Sequence, residues 1–218
     1  MIPENIHFIW LQGFDNLPEE FETNLDLWYF HHPQCLIEYW DDERIVELLH
    51  LVADPIWKFL YKKCTRIIEK CDVARLAIIE TLGGIYCDVD TVCRKNVMEI
   101  LKECDFFVVR GSIRATFPLS YMIPDLLQAS NFSFGSVARH PVFKTIRQQL
   151  HAHLSFVIFQ SSLLPRTWRV FLRTGPFMLT CALWKYPHSD DLIILPWNIW
   201  GSKNAEYVSH TFANTWIH

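Results

Sequence analysis

A helix that ends on two glycines and runs straight into a strand carrying two carboxylates constrains this chain more than any other stretch. Cys71, Ala74, Ile78 and Leu82, supplemented by Leu76 and Ile79, follow the three-to-four spacing of a mostly buried helix. Gly83 or Gly84 supplies the left-handed residue that stops it. Ile85-Tyr86-Cys87-Asp88-Val89-Asp90 then reads as a strand, in which residues two apart share a face, so Asp88 and Asp90 stand side by side, roughly 7 Å apart. Like charges held that way repel each other. A hard cation such as Mg²⁺ or Mn²⁺ relieves the repulsion, binding one or two carboxylates together with phosphate oxygens of a substrate. The alternative for so short a pattern is a solvated turn. Asp72 and Arg75, three apart on one face of the helix, either approach whatever the carboxylates hold or form an ordinary intrahelical ion pair.

The rest of the chain can support a sizeable core. Half of its 218 residues are hydrophobic and 15% aromatic, which suits a single domain spanning residues 1–218 or one domain of a longer polypeptide. A net charge of −4 with no run of Lys or Arg argues against nucleic-acid binding; Lys62, Lys63 and Arg66 read as a solvated helix face. Seven cysteines show no zinc spacing, and their odd number favours a reducing compartment. With no signal-peptide pattern at the N-terminus and no membrane-spanning run, a cytoplasmic enzyme is expected, in the host's cytoplasm if the chain is viral.

Strand patterns fall at Asn5 to Trp10, Cys35 to Trp40, Asp105 to Val109 and Leu192 to Leu195, besides the strand with the carboxylates. Helical patterns fall at Pro18 to Phe30, Glu43 to Leu51, Pro55 to Lys62, Cys64 to Leu82, Val97 to Glu103, Pro141 to Leu150 and Pro176 to Tyr186. This alternation predicts an α/β fold with a mainly parallel central sheet flanked by helices, and in such sheets ligands bind beyond the carboxyl ends of the strands. Trp10 and the carboxylate pair are expected to converge there. His7 points to the opposite strand face from Trp10 and reads as a core histidine. His151 and His153 read as surface.

Asp72-x-x-Arg75, the seven residues that follow and Gly83-Gly84-Ile85-Tyr86-x-Asp88-x-Asp90 together resemble the core signature of the DXD-containing sugar-transferase family. That family includes yeast α-1,6-mannosyl, capsule and inositol-phosphoceramide sugar transferases and, more distantly, the clostridial glucosylating toxins. Ile2-Pro3-x-x-Ile6-His7-Phe8-Ile9-Trp10, Glu38 to Asp42, His140 to Phe143, Thr174-Gly175-Pro176 and Ser209-His210 with Thr215-Trp216 fall in the family's order. A compact chain of this pattern also resembles the glycosyltransferase domains of large algal viruses. The family usually has Ser at position 215 and Ser, Thr or Ala at position 71, and the stretch from about Arg114 to Ser130 aligns with nothing in it.

The resemblance implies a GT-A type nucleotide-sugar fold. It also implies a metal-dependent transfer of a hexose from a nucleoside-diphosphate sugar, UDP-linked in preference, to a glycan or glycoprotein acceptor, with retention. It places uracil against Trp10 with Ile9 beside it, and assigns Asp90 as direct ligand of Mn²⁺ or Mg²⁺. Asp88 acts through water and the ribose or sugar hydroxyls, and His210 is a third metal or phosphate contact. Asp72 and Arg75 grip the donor sugar, Tyr86 either contacts the donor or packs, and Thr215 and Trp216 reach the diphosphate. The segment from Ser202 to Trp216 is expected to act as a lid. Two other readings are a non-catalytic sugar- or nucleotide-binding module and a metal-dependent phosphohydrolase; the latter normally needs further clustered ligands.

Overall fold

The computed structural model describes residues 1–111, 128–160, 163–187 and 192–213. In chain order its strands are β1 (Asn5–Ile9), β2 (Leu36–Trp40), β3 (Gly84–Cys87), β4 (Thr91–Cys93), β5 (Phe106–Arg110), β6 (Ala129–Ser136), β7 (Leu192–Leu195), β8 (Trp200–Gly201) and β9 (Val208–His210). Its helices are α1 (Glu19–His31), α2 (Asp42–Leu51), α3 (Pro55–Lys62), α4 (Ile67–Leu82), α5 (Val142–Ser155), α6 (Val157–Gln160), α7 (Arg166–Arg173) and α8 (Pro176–Lys185). A six-stranded sheet runs β2-β1-β3-β6-β5-β7, and a small second sheet runs β4-β9-β8. The pairings β1/β2, β1/β3 and β5/β7 are parallel, while β6 lies antiparallel to both its neighbours. The mainly parallel α/β sandwich is as expected.

Strand alternation divides the core in two. Ile6, Phe8, Ile85, Cys87, Phe107 and Val109 face one side, where Trp28 of α1 and Trp200 are fully buried. Ile9, Tyr86, Phe106 and Val108 face the other, against α4, α5 and α8. Inward residues two apart on each strand are what a sheet covered on both faces requires.

Three sequence expectations need correction. β3 stops at Cys87, and Asp88 to Asp90 form a turn closed by the Thr91 N–H donating to the Asp88 carbonyl at 3.1 Å, so the two carboxylates do not share a strand face. Nor is this a fully solvated turn, for Asp90 is only 9% exposed and Asp88 is partly buried. The helix expected over Val97 to Glu103 is one short 3-10 turn, Val97–Ile100. The central strand β6 carries no strand signal: Ala-Ser-Asn-Phe-Ser-Phe-Gly-Ser is rich in residues with low strand propensity. Its small residues are required by crowding, since a Cβ at Gly135 would lie 2.5 Å from the Phe107 ring and 2.9 Å from the Gly84 carbonyl.

The glycine pair does what its position implied. Gly83 and Gly84 both have positive φ, at +72° and +100°, and a Cβ on Gly84 would approach the Asn5 carbonyl to 2.6 Å. The helix therefore reverses tightly into β3, pressed against β1. His7 is the core histidine expected: its Nε2–H donates to the Gly83 carbonyl at 2.9 Å, while its Nδ1 accepts from the Trp40 indole at 3.1 Å. His32 is buried in the same manner, donating to the Trp28 carbonyl and accepting from the Val97 N–H. His153, expected at the surface, instead sits half-buried with Nδ1 2.6 Å from the Leu172 carbonyl.

Burial lowers both His7 and His32 from the ordinary 6.5 to about 4. Between those values the unfolded chain binds more protons than the folded one, so stability present above pH 6.5 is lost as pH falls toward 4. The expected loss is at most about 3 kcal/mol per histidine. Urea unfolding midpoints should fall between pH 6.5 and 4.5 while both imidazole NMR signals stay untitrated; titration of either ring near 6.5 in the folded protein contradicts this.

Candidate active site

Helix and strand geometry explain why Asp72 meets the turn. From Gly83, the eleven residues back to Asp72 at about 1.5 Å each span the same roughly 16 Å as the five residues forward to Asp88 at about 3.3 Å each. The signature spacing thus sets the acidic end of α4 level with the end of β3. The parallel register of His7 with Tyr86, continued by two residues, brings Ile9 level with Asp88 as well. Asp88 is fixed from the other flank by its N–H donating to the Phe132 carbonyl of β6 at 2.8 Å.

Arg75 is only 3% exposed and lies at the centre of this junction. Its guanidinium donates to the Asn131 carbonyl at 2.7 Å and the Cys71 carbonyl at 3.3 Å, and pairs with Asp72 at 3.3 Å and Asp88 at 3.2 Å. It also lies over the Tyr86 ring, 4.7 Å from the centroid. Asp72 accepts from Asn131 Nδ2 at 2.8 Å and Thr174 Oγ1 at 2.6 Å. Burial still pushes its carboxyl up to about 6, against the pull of Arg75 and Thr174. Tyr86 donates its hydroxyl to the Asp88 Oδ1 that Arg75 also meets. Burial raises Asp88, and its neighbour Asp90 adds to the effect, while Arg75 opposes it.

Asp90 is bound differently. Burial alone would raise it, but His210 Nε2–H donating to Oδ1 at 2.9 Å and the Ala213 N–H donating to Oδ2 at 3.0 Å hold it below the usual carboxylate range. His210 comes from β9, which pairs with β4 so that Thr91 faces His210. Its ring stacks on Phe132 with centroids 4.4 Å apart, and its Nδ1 is buried without a partner. Ligand atoms of Asp88, Asp90 and His210 all lie within 4.8 Å of one another. One hard divalent ion holds ligands at about 2.1 Å, so shifts of a few tenths of an ångström would let all three reach it. Two carboxylates and an imidazole whose Nδ1 is buried without a partner fit Mn²⁺ or Mg²⁺.

Two cavities meet at this cluster. One, of about 660 Å³, is lined by Ile9, Trp10, Tyr86, Asp88, Asp90 and His210, together with Arg66 and Arg166. Trp10 stands edge-on to Phe21, and its indole Nε1 is buried without a partner. The other, of about 530 Å³, is lined by Asp72, Asn131, Phe132, Trp168, Phe171 and Trp197. Arg75, Asp88 and His210 border both.

The residues expected from sequence thus come together, apart from Thr215 and Trp216, which lie outside the described residues. Asn131 and Thr174 were missed as partners of Asp72. The Thr-Gly-Pro turn carried a signal for Thr174; Asn131 sits in a strand the sequence did not announce. Arg66 is no solvated helix residue, since it lines the larger cavity and contacts Glu69 at 3.3 Å.

The fold and the site define a glycosyltransferase of the GT-A type. Residues 18–107 match the family described as glycosyltransferase sugar-binding region containing DXD motif. A glycosyltransferase of Acanthamoeba polyphaga mimivirus is 29% identical over 99% of this chain and 84% of its own length. An inositol phosphoceramide mannosyltransferase of Schizosaccharomyces pombe is 26% identical over 99% of this chain, which spans 62% of that relative. Among solved structures, the UDP-bound glycosyltransferase domain of the YGT toxin superposes with a TM-score of 0.58 at 9% identity, covering 84% of this chain and 76% of that one.

Arg75→Leu leaves the buried Asp72 and the partly buried Asp88 without their cation and should cost about 3–5 kcal/mol near pH 8. Protonation relieves carboxylates whose folded pKa is raised, so the penalty should shrink at pH 5. Urea unfolding at the two pH values measures it; an equal loss at both would mean that Arg75 acts through packing rather than charge.

Proposed function

We propose that the chain transfers a hexose from a nucleoside-diphosphate sugar, UDP-linked in preference, to a hydroxyl of a glycan or protein, with retention and with a divalent cation. The observation that carries this reading is the Asp88, Asp90 and His210 cluster at the rim of a cavity that also holds Trp10. When bound there, the cation would act as a Lewis acid, stabilising charge on the departing diphosphate. Trp10 offers a flat face for the nucleobase, a contact worth about 1–3 kcal/mol. Arg75 keeps at most one N–H free of the protein contacts described above, so its main work is to hold Asp72 and Asp88 in place. Asp72, steadied by Asn131 and Thr174, faces the second cavity, where the sugar hydroxyls would lie.

In the transfer, the bond from the anomeric carbon to the phosphate oxygen breaks and its electron pair leaves with the diphosphate. The acceptor oxygen bonds to that carbon from the same face, and its proton passes to the departing phosphate oxygen. Among the described residues, the carboxylates lining the cavities are Asp72, Asp88 and Asp90, and each is already tied to protein partners. This favours a front-face route over a covalent carboxylate intermediate. Seven unpaired cysteines support work in a reducing compartment such as the cytoplasm. Among the described residues no helix is long and apolar enough to cross a membrane. Of the stretch expected to act as a lid, Ser202 to His210 is held by β9, which pairs with β4 and β8, and by Arg94, which donates to the Lys203 carbonyl, and Thr211 and Ala213 donate to Asp90; Thr215 and Trp216 lie outside the described residues.

Asp90→Asn should abolish turnover and the Mn²⁺ dependence of UDP binding while preserving the fold, because one anionic ligand is lost without a change in size. Titration calorimetry with UDP and Mn²⁺ reads it, and an unchanged metal dependence would move the centre elsewhere. UDP should also raise the melting temperature more than GDP when Mn²⁺ is present. A reversed order would return Trp10 to the core and shift the donor towards a guanosine-linked sugar.

A further inference from the structure

The metal centre by itself brings no positive charge to a diphosphate. Asp88 and Asp90 together offset a divalent cation, and Arg75 is shared between Asp72 and Asp88. A donor's diphosphate carries about two negative charges, so its compensation must come from elsewhere in the cavity.

The wall formed by α4 and α7 has an excess of cations. Arg66 is the N-cap of α4 and Arg166 the first residue of α7, and both line the larger cavity. Neither helix start has a capping side chain, and the first turn of α7 has no acidic residue. Cations at the positive end of a helix are unfavourable, and open N-termini favour anions. Arg169 and Arg173 stand close enough for Arg66 to feel their charge, and burial together with these neighbours lowers Arg66. Against these four guanidinium groups stands the fully buried Glu69. It already meets Arg173 at 2.5 Å, Arg66 at 3.3 Å and the Thr65 N–H at 3.0 Å. Arg166 and Arg169 form no ion pair with a described residue. Moreover, Nε of Arg169 and Nε of Arg173 are buried without a hydrogen-bond partner. Arg166 thus carries an uncompensated charge on a cavity that it shares with the metal cluster, while the unpartnered Nε atoms of Arg169 and Arg173 lie in the helix behind that wall.

We propose that Arg66 and Arg166, backed by Arg169, form a second phosphate-holding wall that positions the donor's diphosphate without help from the cation. This rests on the nucleotide-sugar reading of the cavity. Phosphate binding is then divided between a metal side and an arginine side, so a nucleoside diphosphate binds measurably when no metal is present. The metal-free part is electrostatic and weakens as salt is raised.

The test is calorimetry in EDTA with UDP, UMP and uridine on the full chain, repeated with Mn²⁺. The wild type should bind UDP more tightly than UMP and both more tightly than uridine without metal. In Arg166→Gln, and more in Arg66→Gln/Arg166→Gln, UDP affinity should fall by about tenfold for the pair. Uridine affinity should stay unchanged, and Arg166→Lys should recover part of the loss. Arg166 is exposed and unpaired, so the single variant is expected to keep its melting temperature even if the double variant does not. Equal metal-free binding of UDP and uridine, or unchanged UDP affinity in Arg166→Gln, overturns the arginine wall alone. Failure of UDP to bind even with Mn²⁺ overturns the donor reading and the wall with it.

Discussion

Everything near the cluster depends on one buried cation. Arg75 ties together a helix, a central strand and a turn through two carboxylates and two carbonyls, and it is the cation that balances both carboxylates. A guanidinium suits this place because it is planar, keeps its charge and donates in several fixed directions at once. Lysine has neither the reach nor the plane to stack on Tyr86 while meeting two carboxylates. The carboxylates in turn make the cation tolerable at 3% exposure. The local structure is thus an electrostatic unit in which no member is stable alone.

That mutual dependence separates two kinds of acid in one small volume. Asp72 and Asp88 share Arg75 yet are raised by burial, whereas Asp90, held by a histidine and a backbone amide, is lowered. Neighbouring carboxylates pushed apart in this way take different tasks. The lowered one suits a permanent anionic ligand, and Asp72, the raised one outside the metal cluster, suits hydrogen-bonding to neutral hydroxyls.

The sequence was most legible where local rules act. Pro55 to Lys62 and Leu192 to Leu195 were read to the residue, and the paired glycines marked the reversal after α4 because only they tolerate its backbone. Legibility failed where tertiary contacts override propensity. β6 is built from Ser, Asn and Gly because large neighbours, Phe107 above all, occupy the space that strand-forming side chains would need. Asp88 and Asp90 come together with His210, yet they lie in a turn and not on the expected strand, since nothing in Cys-Asp-Val-Asp-Thr shows that the chain turns to bring in β4. Thr174 and Asn131 lie 102 and 59 residues from Asp72, and no spacing rule reaches that far. His210 was found only because a family resemblance supplied the long-range contact that periodicity cannot.

The place of β6 in the sheet also governs the order in which a growing chain can assemble. Once residues 1–93 have left the ribosome, β2, β1 and β3 can pair, yet β3 keeps a bare edge until Ala129–Ser136 arrives to cover it. An uncovered central strand is a template for wrong partners, so the nascent intermediate is exposed to aggregation for as long as synthesis of that interval takes. His210 meets Asp90 across 120 residues, later still. The same topology that keeps the cluster rigid in the finished protein therefore keeps a half-made chain from assembling it.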